Sequence, residues 1–451
     1  MAAKRPEDRR PPGSGPAAPG GRRDFLKRSA ALGGALASGA VLGGAAVPPG
    51  ALPPAAARPE DRPPPARPAV PESVSSMRYR TLGRTGLRVS EIGFGGYPVD
   101  DPDLLLYALD RGMNYVDTSH CYRGGRSEEV VGQALRGRRD RFVVATKWCP
   151  HHVGRRPTRQ AFLDMLDGSL RRLGTDHVDV LLNHEVGENS DGLGVARLKN
   201  PEMFEAWETA RRAGKARFLG VSGHDPDLMG VMGHAVDSGR FDVVLCRYSF
   251  LDYPDQNALI ERARSRGVGF IAMKTLAGAK GADLDRFRDR QTSFKQAALK
   301  WVLANEGVGG LVISINNRRQ VDEYAAASGQ PLTAADRGVL NDYEREFSTQ
   351  VCRFSGACHD ACPADVRIAD ILRFSMYYHE YGQERRGIES YAGLVAAERA
   401  AHCLHCSGLC EQACAYDLPI RTLLLRAHDA LARGAPRGGG RKAGDVPGST
   451  S

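Results

Sequence analysis

Beginning near Met77, short runs rich in β-branched residues alternate with amphipathic segments of about ten to fifteen residues, and the alternation holds for roughly 250 residues. The runs predict strands at 89–93, 114–118, 142–147, 178–183, 216–222, 243–248, 269–274 and 310–315. Helical patterns lie between them, for example at 158–173, 201–213 and 256–266. Adjacent parallel strands need a helical crossover, so eight strand–helix units predict an α/β chain closed into a (β/α)8 barrel. An open doubly wound sheet would need a glycine-rich turn that opens a helix after the first strand. Gly93-Phe94-Gly95-Gly96 stands there, but no helical pattern opens on it and no acid follows at the dinucleotide-binding spacing.

Barrels of this kind carry their chemistry at the C-terminal ends of the strands. Asp117 ends the second run, and Tyr122 follows in the next loop. The third run delivers Lys147 and the fourth delivers His184. A phenol is a weak acid at neutral pH, but it can protonate a developing alkoxide when a cation stands beside it. In that scheme Tyr122 is the acid, Lys147 the cation, Asp117 the carboxylate that holds the lysine, and His184 the group that orients a carbonyl.

The stretch from Arg78 to Ser90, with Gly112-Met113-Asn114-Tyr115-Val116-Asp117-Thr118, Tyr122, Ser127-Glu128-Glu129-Val130-Val131-Gly132, Ala145-Thr146-Lys147 and Gly214-Lys215-Ala216-Arg217-Phe218-Leu219-Gly220-Val221-Ser222, resembles the aldo-keto reductase family. The resemblance spans residues 78–330. It implies a barrel that reduces carbonyls with NADPH, Tyr122 acting as general acid, and a cofactor-binding set at Ser222, Lys274, Arg318 and Glu323. The chain departs from the family around that set. Gly223 stands where the family usually has Asn, Leu245 where it has Gln, and Met273 where it has the ring that stacks on nicotinamide. Ser314-Ile315 replaces a Lys-Ser pair, Gln320 an Arg, and Tyr324 an Asn. The tetrad is intact while the nucleotide site is rewritten, which puts NADP(H) binding in question.

Of ten cysteines, Cys121, Cys149 and Cys246 lie in the barrel region; the other seven are concentrated after residue 350. Cys352, Cys358 and Cys362-Pro363 follow the ferredoxin spacing C-x2-C-x2-C-x3-C-P with Ser355 at the second position. Cys403, Cys406, Cys410 and Cys414 form a second set, one residue longer in its middle. The pair of motifs resembles the two-cluster ferredoxin domain appended to some aldo-keto reductases, which implies a small, mainly α-helical ferredoxin-like domain holding one or two 4Fe–4S clusters. The resemblance implies a complete set of Cys362, Cys403, Cys406 and Cys410, and a second of Cys352, Cys358 and Cys414 with Ser355 as a weak oxygen donor. At the second set a three-iron cluster, a labile fourth iron or no cluster remain open, and zinc is the alternative for either set. The aromatic-rich segment 368–381 reads as core packing.

The domain plan is then 1–57 disordered with a signal, 58–76 a Pro/Ala/Arg linker, 77–330 the barrel, 331–350 a helical linker, 351–430 the cysteine domain and 431–451 a Gly/Arg tail. Arg22-Arg23-Asp24-Phe25-Leu26-Lys27 before a weakly apolar run from Ser29 to Val47 resembles a twin-arginine export signal, cleaved after Ala46 or Ala57. It predicts the twin-arginine translocase as a partner and a periplasmic location, or one otherwise outside the cytoplasmic membrane. The net charge of +9 lies largely in the two ends, and no basic helix with interleaved aromatics appears, so nucleic-acid binding is not expected. The functional expectation is an exported oxidoreductase that interconverts a small carbonyl and its alcohol, drawing electrons from NADP(H) or, through the clusters, from a redox protein or quinone-linked donor. The alternative is a non-catalytic electron-transfer or redox-sensing protein on an inherited barrel.

Overall fold

Eight short strands, buried along nearly their whole length, pair in parallel and close on themselves. They are β3 (Ile92–Gly95), β4 (Tyr115–Asp117), β5 (Val143–Trp148), β6 (Val178–Asn183), β7 (Ala216–Gly223), β8 (Val243–Arg247), β9 (Gly269–Met273) and β10 (Gly310–Ser314). Their order is β10-β3-β4-β5-β6-β7-β8-β9, with β9 also paired to β10. Every residue of β5 and β6 is buried, as expected of strands covered by side chains within the barrel and helices outside it. The computed structural model describes residues 77–433 apart from 151–155, 185–193, 224–227, 252–254, 277–283, 285, 289–291, 348 and 380–383. The twin-arginine stretch, the Pro-rich linker and the C-terminal tail lie outside the described residues. All described residues belong to one unit, Glu60–Ser451.

The first expected strand, 89–93, is divided in two. Arg88–Ser90 is β2, which pairs antiparallel with β1 (Tyr79–Thr81) in a hairpin, and the barrel begins only at Ile92. Buried Glu91 breaks the run: it takes Arg80 at 2.7 Å and accepts from Ser328 at 2.9 Å, so the chain turns there to satisfy a carboxylate. Leu82, Leu87 and Val89 of the hairpin share a core with inward residues Val143, Val180, Val243 and Ile271. Gly83, at φ +50°, lies against the start of β9, where an added Cβ would come within 2.4 Å of the Gly269 nitrogen. The hairpin therefore closes the N-terminal end of the barrel, leaving the other end for chemistry.

The helices begin where local chemistry satisfies their first amides. Thr158 caps Arg159–Leu173, Asn200 caps Pro201–Arg212 with proline at the first helical position, and Ser293 forms a reciprocal capping box with Gln296 at the head of Phe294–Leu303. The 331–350 segment is more than a linker. Helix Ala334–Phe347 places Val339, Leu340 and Tyr343 in the barrel's outer core. Tyr343 packs within 4.4 Å of Phe294, 5.4 Å of Phe287 and 5.8 Å of Phe250, measured between ring centroids. The residues after it form a helical domain with its own core, including Ile371, Phe374, Tyr391, Leu424 and Leu431. Among the described residues no helix is long and apolar enough to cross a membrane.

Candidate active site at the C-terminal mouth of the barrel

Lys147 decides the character of the site. Its side chain has no solvent exposure, and stripping an ammonium of water costs several kcal/mol unless other groups replace it. Its Nζ donates to Asp117 Oδ2 at 2.7 Å and to the Thr118 carbonyl at 2.7 Å, and lies 4.5 Å from the centroid of the Tyr122 ring. The three groups come from the ends of neighbouring strands β4 and β5 and the loop between them. Buried Asp117 Oδ1 has no hydrogen-bond partner among the described residues.

Tyr122 is half-buried and opens a short turn in which Arg123, Gly124 and Gly125 all have positive φ, at 55°, 64° and 94°. Such a turn costs Arg123 backbone strain, and the two glycines adopt it freely. It sets the phenol ring over the lysine. His184 follows β6, buried, its amide donating to the Trp148 carbonyl at 2.8 Å. Its ring meets Tyr122 edge-on at 5.8 Å. On the other side of Tyr122, Tyr97 packs edge-on at 5.4 Å. Asp117, Tyr122, Lys147 and His184 thus converge at one mouth.

The cysteine domain covers part of that mouth. Arg247, at the end of β8, donates to the Arg353 carbonyl at 3.0 Å and stacks 5.2 Å from the Phe354 ring. Lys274, just after β9, lies 5.3 Å from the Tyr377 ring. Arg386 stacks on both Tyr377, at 4.4 Å, and Tyr97, at 5.8 Å. Tyr377, read from sequence as core packing, is buried in the cysteine domain's core and also meets Lys274 of the barrel, and Arg386 bridges it to the ring beside Tyr122.

Residues 97–286 match the Aldo/keto reductase family. They form an aldo/keto reductase family domain. The chain is 28% identical to L-galactose dehydrogenase of Arabidopsis thaliana over 56% of its own length and 89% of that protein. It is 26% identical to L-glyceraldehyde 3-phosphate reductase of Escherichia coli O157:H7 over 57% and 90% respectively. Among solved structures, an aldo-keto reductase from Klebsiella pneumoniae in complex with NADPH is similar, at 26% identity, a TM-score of 0.49, and coverage of 60% of this chain and 95% of that one.

In this reductase domain the four residues expected at a nucleotide are held by protein partners or lie apart. Ser222, at the end of β7, has a buried hydroxyl without a partner among the described residues. Lys274 is turned onto Tyr377, and Arg318 stacks on Tyr107 at 5.0 Å. Glu323 accepts from Ser293 at 2.8 Å and pairs with Lys295 at 3.6 Å, tying one helix to the next. A buried hydroxyl suits a nicotinamide amide; the other three, as placed, do not assemble a nucleotide site.

The seven later cysteines gather in two groups joined by an internal repeat that the sequence spacing only half reveals. Residues 355–368 and 407–420 share the pattern S-G-x-C-x-x-A-C-x-x-D-x-x-I. The backbone repeats with it: Gly356 and Gly408 have φ of 78° and 80°, and Asp365 and Asp417 have φ of 49° and 52°. Short helices Ala357–Asp360 and Leu409–Gln412 carry Cys358 and Cys410. Ser355 therefore corresponds to Ser407, and Cys406 has its counterpart one position earlier than Ser355.

Backbone amides of Phe354, Val366 and Gly408 each donate to a cysteine sulfur, of Cys352, Cys362 and Cys406, at 3.4 Å. Burial pushes the Cys352 and Cys403 thiols up to about 11 and Cys358 up to about 12. The field of Cys362, Cys410 and Cys406 adds to the rise at Cys403, and the field of Cys352, Cys414 and Cys410 to that at Cys358. Arg247 acts in the opposite direction on Cys352, and the same guanidinium donates to the carbonyl of the next residue, Arg353, so Cys352 stands beside the barrel mouth.

Sequence reasoning passed over a second set of strand-end groups. Cys149, two residues past Lys147, approaches Cys121 at 3.0 Å between sulfurs. His184 Nδ1 lies 3.1 Å from Cys149 Sγ and 3.3 Å from Cys121 Sγ. The strand-end argument that found the tetrad, applied to sulfur, would have found this set as well.

Proposed function

We propose that the chain is an oxidoreductase that interconverts a small carbonyl compound and its alcohol, with Tyr122 giving or taking the proton on oxygen and electrons passing through the cysteine domain. The observation that carries this reading is the buried Lys147 ammonium, fixed by Asp117 at 2.7 Å and set 4.5 Å from the Tyr122 ring. The ammonium stabilises the charge left on the phenol oxygen when its proton goes to substrate, and Asp117 keeps the ammonium in place. His184 stands edge-on to the phenol, where an imidazole can orient a carbonyl oxygen. The family relatives support the reaction class; two of them, by name, act on L-galactose and on L-glyceraldehyde 3-phosphate.

Reduction of a carbonyl to an alcohol takes two electrons and two protons: the electrons come one at a time from an external redox donor, Tyr122 gives the proton on oxygen, and solvent water supplies the proton on carbon and re-protonates the phenol. The residues placed at the expected nucleotide positions do not assemble a binding site, so no step is routed through NADP(H). The seven cysteines fit iron–sulfur clusters: soft donors, crossed between two repeats, with backbone amides already directed at the sulfurs. Cys362, Cys403, Cys406 and Cys410 would hold one cluster, and Cys352, Cys358 and Cys414 the other. Such clusters supply one-electron transfer when bound. The protein's part is to bring the three-cysteine group to the barrel mouth through Arg247, Arg353 and Phe354.

Export by the twin-arginine route, proposed from Arg22-Arg23 and the apolar run after them, fits this chemistry because that route carries cargo already folded. Tyr122→Phe, assayed with a panel of aldehydes and an artificial reductant, tests the enzymatic reading. Unchanged turnover would make the tetrad vestigial. Retention of the protein in the cytoplasm when Arg22 and Arg23 are both changed to Lys tests the export reading.

A further inference from the structure

Two sulfurs and an imidazole nitrogen meet beside the proposed acid. Cys121 Sγ, Cys149 Sγ and His184 Nδ1 lie within 3.0, 3.1 and 3.3 Å of one another. Among the described residues they are the set of His, Cys and acidic side chains close enough to share one ion. Their origin at the ends of β5 and β6 and in the loop after β4 makes the arrangement a product of the barrel frame. We propose that these three residues bind a soft divalent cation, zinc by preference, at the base of the catalytic mouth.

The donor chemistry argues for a metal. A tetrahedral zinc with Zn–S of about 2.3 Å and Zn–N of about 2.0–2.1 Å holds its donors roughly 3.5–3.8 Å apart. The observed triangle reaches that size by an opening of about 0.2–0.8 Å along its edges, largest between the sulfurs. The sulfurs are farther apart than the roughly 2.05 Å of a disulfide, and a disulfide would have no use for an imidazole that points at both sulfurs. Two thiolates and a neutral imidazole make the bound divalent cation formally neutral, and binding releases the two thiol protons.

The surroundings support the donors. The Ser119 hydroxyl lies 3.0 Å from Cys121 Sγ and 3.3 Å from Cys149 Sγ, placed to donate to a metal-bound thiolate. Cys149 and His184 are buried, while Cys121 is half-buried and directly precedes Tyr122. Among the described residues three side chains supply donors, one fewer than the four of a tetrahedral zinc site. With Nδ1 committed to the ion, the ring proton of His184 is fixed on Nε2, which makes the imidazole an obligatory hydrogen-bond donor. This inference stands on the donor geometry and does not depend on the carbonyl reading.

The test uses the full chain, purified anaerobically with its clusters, titrated with zinc against a chelator and examined at the zinc absorption edge, which is blind to iron. One zinc per chain with two sulfur and one nitrogen scatterers is expected in the wild type. Cys149→Ser should weaken zinc by more than the roughly 10–100-fold that loss of an outer partner costs, and Ser119→Ala by about that lesser factor. Cys121→Ser, on the half-buried loop, should match Cys149→Ser and guards against a misfolded core variant; an unchanged barrel unfolding transition in urea verifies the fold in each. No zinc in the wild type, zinc undiminished in both cysteine variants, all-sulfur coordination, or a Cys121–Cys149 disulfide in the anaerobic protein would each overturn the proposal.

Discussion

The barrel mouth and the cysteine domain solve opposite problems of burial. At the mouth, the Lys147 charge is balanced by Asp117 and its ammonium also donates to the Thr118 carbonyl, and packing around β4, β5 and β6 holds the group in place. In the cysteine domain, seven thiols are drawn together by a repeated turn, and burial raises Cys352, Cys358, Cys403 and Cys410, outweighing Arg247 and Arg373 at Cys352 and Arg421 at Cys403. Around Lys147 the first region balances its charge with groups of the chain itself. The second has the donors that the proposed clusters would use, and their iron would finish it.

The sharpest way to break this contrast is to remove iron. Chelation under anaerobic, reducing conditions should melt helix Ile420–Arg433 and its neighbours while the barrel strands keep their protection, read by hydrogen exchange along the chain. Loss of protection in β10, which carries none of the cysteine or histidine donors, at the same chelator concentration would mean that the barrel frame itself depends on metal. Next in size is Tyr122→Phe, expected to lower carbonyl turnover by about 100- to 10,000-fold with iron content and melting temperature unchanged.

Asp117→Asn sharpens the barrel side. It leaves Lys147 buried without its carboxylate and should destabilise the barrel by about 3–5 kcal/mol in urea unfolding, leaving the iron content intact. A change below about 1 kcal/mol would show that water or another group already serves the lysine. The smallest expected effect is at Tyr115, whose buried hydroxyl has no hydrogen-bond partner among the described residues. Burial first, then the nearby charges of Asp117 and Asp179, push its phenol well above the usual range. The folded protein therefore holds that proton longer than the unfolded chain does. The stabilisation is full below about pH 10 and is lost as pH rises beyond it. Tyr115→Phe should be neutral to stabilising by up to about 1 kcal/mol at pH 7, and should remove part of the alkaline loss of stability.

The barrel was legible because its pattern is repeated eight times, and a parallel strand that is buried on both faces has few sequence alternatives. What the pattern misread were places where one polar residue overrides it. Glu91 turns the first run into a hairpin and a strand, because a buried carboxylate must meet Arg80 and Ser328. The helix Ala334–Phe347 resembled a linker because its apolar face is answered by Phe250, Phe287 and Phe294, distant in sequence. Tetrad residues were legible because strand ends fix their positions. The bridge that Arg386 makes between Tyr377 and Tyr97 was not, since nothing local encodes which face of one domain meets another. Ser355 was judged by motif spacing, and the backbone repeat aligns it instead with Ser407.

The central claim is that electrons held in the cysteine domain reach a carbonyl at Tyr122. The direct measurement is electron paramagnetic resonance on anaerobically purified, dithionite-reduced protein freed of excess reductant, followed after an aldehyde is added. The account predicts iron–sulfur signals in the reduced wild type that decay as alcohol forms, and that persist in Tyr122→Phe over the same interval. Signals that survive the aldehyde in the wild type, decay equally in both proteins, or are absent because zinc fills the cysteine sites would contradict it.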